Sequence, residues 1–98
     1  MHMKTEAVKC PITKVAKLLS DTWTMLIMHF LIEGPKRFCD LEKALTGIST
    51  RTLTLKLKKL IKNGMIIRKK EGSYSVTGKG KGLRLIENSM KRYEKKYL

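Results

Sequence analysis

The sequence is poor in acidic side chains: it has 8 Asp or Glu against 22 Lys or Arg, and its formal net charge is +14. The shortage is local, because residues 49–98 contain 15 basic and 3 acidic side chains, whereas residues 1–48 contain 7 basic and 5 acidic ones. An excess of one sign this large predicts an acidic partner. Its concentration in one half indicates a footprint for nucleic acid or an anionic membrane, rather than a generally basic composition.

Features that mark other classes of protein are also missing. The two cysteines, Cys10 and Cys39, are too few and too far apart for a disulfide framework or a zinc cluster. The longest apolar run, residues 25–32, contains His29 and is far shorter than the ~20 residues that span a bilayer. No secretory signal opens the chain, and no nucleophile triad, carboxylate pair or phosphate loop is present. We therefore expect a reduced, cytoplasmic protein that is not an enzyme and needs no metal or cofactor.

The composition, 42% hydrophobic and 31% charged, is that of a globular protein, and 98 residues make one domain. Apolar spacing predicts a first short helix over residues 11–20 and a second over 22–32. The second is apolar on nearly all sides, which places it at the centre of the core. Residues 36–38 are too short for a helix and could form one small strand. Residues 39–45 are predicted to form a two-turn helix, with Cys39 in the core.

Residues 49–64 organise the rest of the chain. Ser49 is a good N-cap and Gly64 a good helix stop. At about 100° per residue, one side of the helix between them is apolar, formed by Leu53, Leu57, Leu60 and Ile61. The other side is basic and lacks acids, and it carries Arg51, Leu55, Lys58, Lys59 and Lys62. A short helix, a glycine turn at Gly47 and a capped basic helix form a helix-turn-helix pattern.

A basic hairpin and a last helix follow. Residues 65–76 predict two strands joined by a turn at Glu71-Gly72, and a basic hairpin directly after a recognition helix is a wing. Thr77 caps the last helix, whose apolar residues Leu83, Ile86, Met90, Tyr93 and Tyr97 recur at spacings of 3 and 4. This seam predicts a homodimer, with residues 1–20 and 77–98 contributing. The alternative is that the stripe packs on its own domain.

Across about residues 10–92 the chain contains a series of short sequence motifs: Cys10-Pro11, Trp23-Thr24, Gly34–Phe38, Asp40-Leu41, Gly47-Ile48-Ser49, Arg51-Thr52-Leu53, Leu57, Leu60, Gly64-Met65-Ile66 and Thr77–Gly80. In this order the motifs resemble those of the HxlR-type winged helix-turn-helix regulators, relatives of the MarR group. The resemblance implies a mainly α fold with a small β-hairpin. It also implies a homodimeric, sequence-specific transcriptional regulator, with recognition helix 49–63 in the major groove and hairpin 65–76 as the wing.

That mode of binding gives each exposed side chain an expected role. Ser49 and Thr50 suit a phosphate at the helix N-terminus, and Arg51 suits a guanine edge. Thr54 and Leu55 suit a thymine methyl group. The remaining basic residues are expected at phosphates, or else are merely solvated: Lys56, Lys58, Lys59, Lys62, Arg68, Lys69 and Lys70.

Other readings stay open. Charge alone would also serve a non-specific architectural DNA- or RNA-binding protein, and a winged helix can act as a protein-interaction module. The resemblance to the HxlR-type regulators implies a further alternative, because some of them sense oxidants through the cysteine that matches Cys10. This chain would then be a redox-sensing regulator. A purely structural Cys10 is the competing interpretation.

Overall fold

The computed structural model describes residues 10–98. Within them the chain forms six helices and two strands, in the order α1 Pro11–Leu19, α2 Thr22–Glu33, α3 Phe38–Ala44, α4 Thr50–Lys62, β1 Ile66–Arg68, β2 Tyr74–Val76, α5 Gly78–Lys81 and α6 Leu83–Tyr97. This mainly helical fold with a small two-stranded sheet confirms the predicted class. The predicted dimer segment over residues 1–9 lies outside the described residues.

The second helix is the centre of the domain, as predicted. Its side chains Ile27, Met28 and Leu31 are among the most buried in the chain. α2 packs against α1, α3, α4, α5, α6 and β2. The side that carries Leu26 is nevertheless open to solvent, so the apolar surface of α2 is not completely covered within one chain.

Helix α4 begins and ends where its sequence predicts. Ser49 Oγ accepts a hydrogen bond from the Thr52 backbone N–H at 3.0 Å, which satisfies a free donor of the first turn. Gly64 follows the helix with a φ of 74°, a conformation that favours glycine. Leu53, Leu57 and Leu60 are buried.

Two core predictions are wrong. Ile61, expected on the apolar side of α4, is 40% exposed, because it lies beside the wing rather than above the core. Cys39, expected in the core, is exposed. On α3 it lies two residues from the buried Leu41, and about 200° of rotation carries it to the opposite side of the helix.

The hairpin is antiparallel, with Ile66 opposite Val76 and Arg68 opposite Tyr74. A small strand was expected over residues 36–38, but only a single β-bridge forms there. In this bridge Lys36 pairs with Tyr74 through backbone hydrogen bonds of 3.1 and 2.7 Å. It stops there because Phe38 already begins α3.

The last helix is divided rather than continuous. Thr77 caps α5 by accepting a hydrogen bond from the Gly80 N–H at 3.2 Å. The single residue Gly82 then separates α5 from α6. Gly80 has a structural role: a Cβ there would lie 2.3 Å from Met65 O and 3.1 Å from Met28 Cε. The absence of a side chain therefore lets α5 approach the hairpin and α2 closely.

No single helix among residues 10–98 is long and apolar enough to cross a membrane; α1 and α2 meet that measure only together, as a pair bent by 85°.

Candidate nucleic-acid interface

The outward side of α4 is exposed over its whole length, and Leu55, at its middle, is 54% exposed. The other exposed residues of this side, all predicted to face outward, are Arg51, Lys58, Lys59 and Lys62. No acidic side chain of α4 interrupts them. We call these five residues the outward face.

The start of α4 holds an acidic neighbour that its own sequence does not reveal. The Thr50 hydroxyl donates to Glu42 Oε2 on α3 at 2.7 Å, and the Ser49 hydroxyl donates to Thr52 Oγ1 at 2.8 Å. Both hydroxyls predicted at a phosphate are thus engaged within the chain. The backbone N–H groups of the first turn remain the better anion donors there.

Lys56, predicted at a phosphate, instead pairs with an acid. Its Nζ lies 2.6 Å from Asp21 Oδ2, and Asp21 also accepts from Thr24 Oγ1 at 3.0 Å. The hydrogen bond from Lys56 holds the pKa of Asp21 below its ordinary value. This pair directs Lys56 toward the start of α2 and away from the outward face.

Thr54 lies on the side of α4 nearest the wing, where its hydroxyl donates to Thr50 O at 2.8 Å. With Lys58, Ile61, Arg68 and Tyr74 it lines a shallow pocket of about 330 Å³ between the helix and the hairpin. The polar atom of Thr54 is therefore engaged with the backbone, which is compatible with the methyl contact predicted for it.

The wing carries the three exposed cations predicted for it, Arg68, Lys69 and Lys70. The Arg68 guanidinium lies 5.7 Å from the centre of the Tyr74 ring, within the range of a cation–π contact.

One further cation near the wing was not predicted. A Cβ at Gly72 would lie 3.2 Å from Arg37 Nη1, so Arg37 reaches the tip of the hairpin. A hydrogen bond from Ser73, and the nearby charges of Lys69 and Arg37, hold the pKa of Glu71 below its ordinary value. The signal that could have found Arg37 was its place within the predicted strand 36–38.

The predicted dimer seam divides into two parts. Leu83 is 6% exposed and belongs to the core of its own domain, and Ile86 packs partly against that core. Met90, Tyr93 and Tyr97 are exposed, with the two tyrosine rings 4.9 Å apart. The packing of Leu83 on its own domain agrees with the alternative that the sequence left open.

The exposed part of the seam continues into a groove between α1, α2 and α6. The groove has a volume of about 470 Å³, and its apolar lining comes from Leu19, Met25, Leu26 and Met90. His29 lies beside it and contacts Glu87 on α6, with Nδ1 2.7 Å from Oε2. Exposed Ile12 and Val15 add apolar surface on α1.

Cys10 occupies the N-cap position of α1. The nearby backbone N–H groups of Thr13 and Ile12 and the Thr13 side chain lower the pKa of its thiol. Among residues 10–98, no group of three or more His, Cys, Asp or Glu side chains comes together as a metal site.

A helix-turn-helix with an exposed basic second helix, followed by a two-stranded wing, defines the winged helix-turn-helix class. The model of the HxlR-like helix-turn-helix family matches residues 18–98. The chain belongs to that family, and it is a transcriptional regulator of the HxlR/MarR type.

Individual relatives agree with this assignment. An HTH-type transcriptional regulator from Synechocystis is 36% identical over 83 residues, which cover 79% of this chain and 62% of that protein. The HTH-type transcriptional regulator YodB from Bacillus subtilis is 32% identical over 91 residues, covering 86% of this chain and 81% of YodB.

Solved structures are similar over most of the chain. The quinone-bound form of YodB has a TM-score of 0.83 at 31% identity and covers 90% of this chain and 99% of that one. The redox regulator HypR in its reduced form has a TM-score of 0.81 at 26% identity and covers 89% of this chain and 92% of that one.

Proposed function

We propose that this chain acts as a homodimer that binds specific DNA sequences, with α4 in the major groove and the hairpin β1–β2 as the wing. The observation that carries the proposal is the outward face, which is uncovered by any described element and holds four cations. Arg51 is assigned to a guanine edge, since its planar fork can donate to O6 and N7 together. Lys58, Lys59 and Lys62 are assigned to phosphates, because a point charge positions the protein without reading sequence.

The dimer is supported by the apolar surface that one chain leaves uncovered. Met90, Tyr93 and Tyr97 are exposed on α6, and the groove between α1, α2 and α6 adjoins them. Apolar area of this extent, on a chain with so much charge, is typical of a protein–protein contact. We assign it to a second copy, with residues 1–20 and 77–98 contributing and residues 1–98 as one domain.

Selection of bound DNA from a random pool tests the whole proposal. We expect an inverted repeat whose half-sites lie about 34 Å apart, because two symmetric recognition helices enter successive major grooves. A pool that remains random, with equal and steeply salt-dependent affinity for every sequence, would instead identify a non-specific architectural protein.

Redox sensing through Cys10 is a second candidate, supported by the lowered pKa of its thiol and by the likeness to YodB and HypR. The rate of Cys10 alkylation against pH tests it, in a Cys39→Ser variant so that one thiol reacts. A midpoint below that of a free cysteine supports sensing, and a midpoint at the free value contradicts it.

A further inference from the structure

A pocket of about 340 Å³ lies between α1, the start of α2 and one side of α4. Lysines line it from two elements: Lys14 and Lys17 from α1, and Lys56 and Lys59 from α4. Leu18, Thr24 and Leu60 form its less polar part. We call it the lysine pocket.

The charges of the lysine pocket are only partly compensated. Asp21, its one acidic lining residue, is paired with Lys56 at 2.6 Å. Within residues 10–98, Lys14, Lys17 and Lys59 have no carboxylate within 4.0 Å. An anion among these three lysines would supply the counter-charge that the described carboxylates do not.

The lysine pocket and the wing lie on opposite sides of the recognition helix. At about 100° per residue, Lys56 and Asn63 point to one side of α4, whereas Thr54 and Ile61 point to the other. Lys59 belongs both to the outward face and to the pocket. A phosphate bound there would therefore lie beside a duplex that α4 enters, on the flank that the wing does not reach.

We propose that Lys14, Lys17 and Lys59 form a phosphate-binding site in the lysine pocket. Ammonium groups on flexible stems are common phosphate ligands, and three of them border this one cavity. The phosphate group comes either from the DNA backbone or from a small phosphorylated molecule. The DNA source rests on the proposed function, whereas a free phosphate does not.

The test compares the double variant Lys14→Ala/Lys17→Ala with Lys81→Ala/Lys95→Ala, which removes the same charge at exposed positions outside the pocket. Because all four residues lie in the segments proposed for dimerisation, analytical ultracentrifugation first establishes that both variants self-associate as the wild type does. In the first arm, DNA affinity is measured by fluorescence anisotropy over a salt series. If both lysines contact backbone phosphates, the slope of log affinity against log salt falls by about two. Between 50 and 200 mM salt, the pocket variant would then lose about tenfold less affinity than the wild type.

The second arm uses the protein without DNA. Inorganic phosphate and pyrophosphate are titrated into ¹⁵N-labelled wild type and both variants, and amide shifts of residues 14–21 and 56–63 are followed. Saturable shifts that the pocket variant loses and the control keeps identify a site for free phosphate. Thermal unfolding of both variants checks that the fold is intact.

The two arms separate the sources and decide the proposal. A slope change alone assigns the phosphate to DNA, saturable shifts alone assign it to a small molecule, and both together show one site that accepts either. A pocket variant indistinguishable from the control in both arms overturns the proposal. If Arg51→Ala leaves base preference intact while the pocket variant changes the slope, sequence reading by Arg51 fails and the phosphate site stands.

Discussion

Lys56 Nζ lies 2.6 Å from Asp21 Oδ2, and this contact ties one side of α4 to the start of α2. Both side chains are about one-third exposed, so the pair contributes at most about 1 kcal/mol to stability. The pair also fixes the direction in which the Lys56 side chain points. Lys56 is held toward α2, whereas Lys58, two residues later, stays on the outward face.

Lys56 and Lys58 therefore give a matched pair of substitutions. We expect Lys58→Ala to lower DNA affinity on all sequences alike and to reduce the salt slope by about one, because one phosphate contact is lost. Lys56→Ala should leave the slope nearly unchanged and lower the free energy of unfolding by up to about 1 kcal/mol. Anisotropy titrations over a salt series, with urea unfolding of both variants, check this. Equal slopes for Lys58→Ala and the wild type would remove Lys58 from the phosphate contacts.

Acid unfolding should report the same ion pair. The hydrogen bond from Lys56 holds the pKa of Asp21 below its ordinary value of 3.8. Between those two pKa values the unfolded chain binds more protons than the folded one, so stability rises with pH. The contribution is complete above the ordinary value and is lost as the pH falls through the folded-state pKa.

Asp21→Asn removes this titration. We expect its free energy of unfolding to change less than that of the wild type between about pH 5 and pH 2. Urea unfolding at several pH values measures it, and Glu33→Gln, at an exposed carboxylate near the end of α2, serves as the control. Parallel curves for Asp21→Asn and the wild type would show that the pair does not form in solution.

Gly80 and Gly78 give opposite predictions within one turn of helix. Gly80→Ala places a Cβ 2.3 Å from Met65 O, whereas a Cβ at Gly78 meets nothing within 4 Å. We expect Gly80→Ala to destabilise the fold by about 1–3 kcal/mol, since the backbone must shift. Gly78→Ala should be neutral or stabilising by up to about 1 kcal/mol through helix propensity. Chemical denaturation decides between them, and equal stabilities would argue against the close approach of α5 to the hairpin.

The outward face could be predicted from sequence because helical spacing is local. Ser49 and Gly64 set the ends of the helix, and the leucines between them set its buried side. Ion pairs between different elements are not local. Lys56 and Asp21 are 35 positions apart, and His29 and Glu87 are 58 apart, so the spacing within one helix cannot reveal them.

Gly80 and Leu83 show that packing between elements also cannot be predicted from the spacing within one helix. The sequence indicates that Gly80 weakens a helix, but only the tertiary structure reveals the backbone oxygen beside it. Leu83 fits a heptad seam by spacing, yet it is buried in the core of its own domain. A seam residue and a core residue have the same sequence signature when the helix packs on its own domain.

Self-association should depend on the exposed half of the seam. We expect Met90→Glu to raise the dimer dissociation constant at least tenfold, because a buried unpaired charge would face the apolar surface of the partner. Ser89→Glu, which adds the same charge on a neighbouring side of α6, should have little effect. Analytical ultracentrifugation over a concentration series measures both. A wild type that stays monomeric at micromolar concentration, or equal effects of the two variants, would contradict the assignment.

Base reading should depend on Arg51. It is exposed near the start of α4, and among residues 10–98 no carboxylate lies within 4.0 Å of it, so its fork is available to a base pair. We expect Arg51→Ala to cost about 1–3 kcal/mol on the selected site and to relax base preference at one position of each half-site. Arg51→Lys should keep the phosphate attraction but not the bidentate geometry, and so should also lose the preference. Selection from a random pool with all three proteins measures this, and a loss of affinity that is equal on every sequence would reassign Arg51 to the backbone.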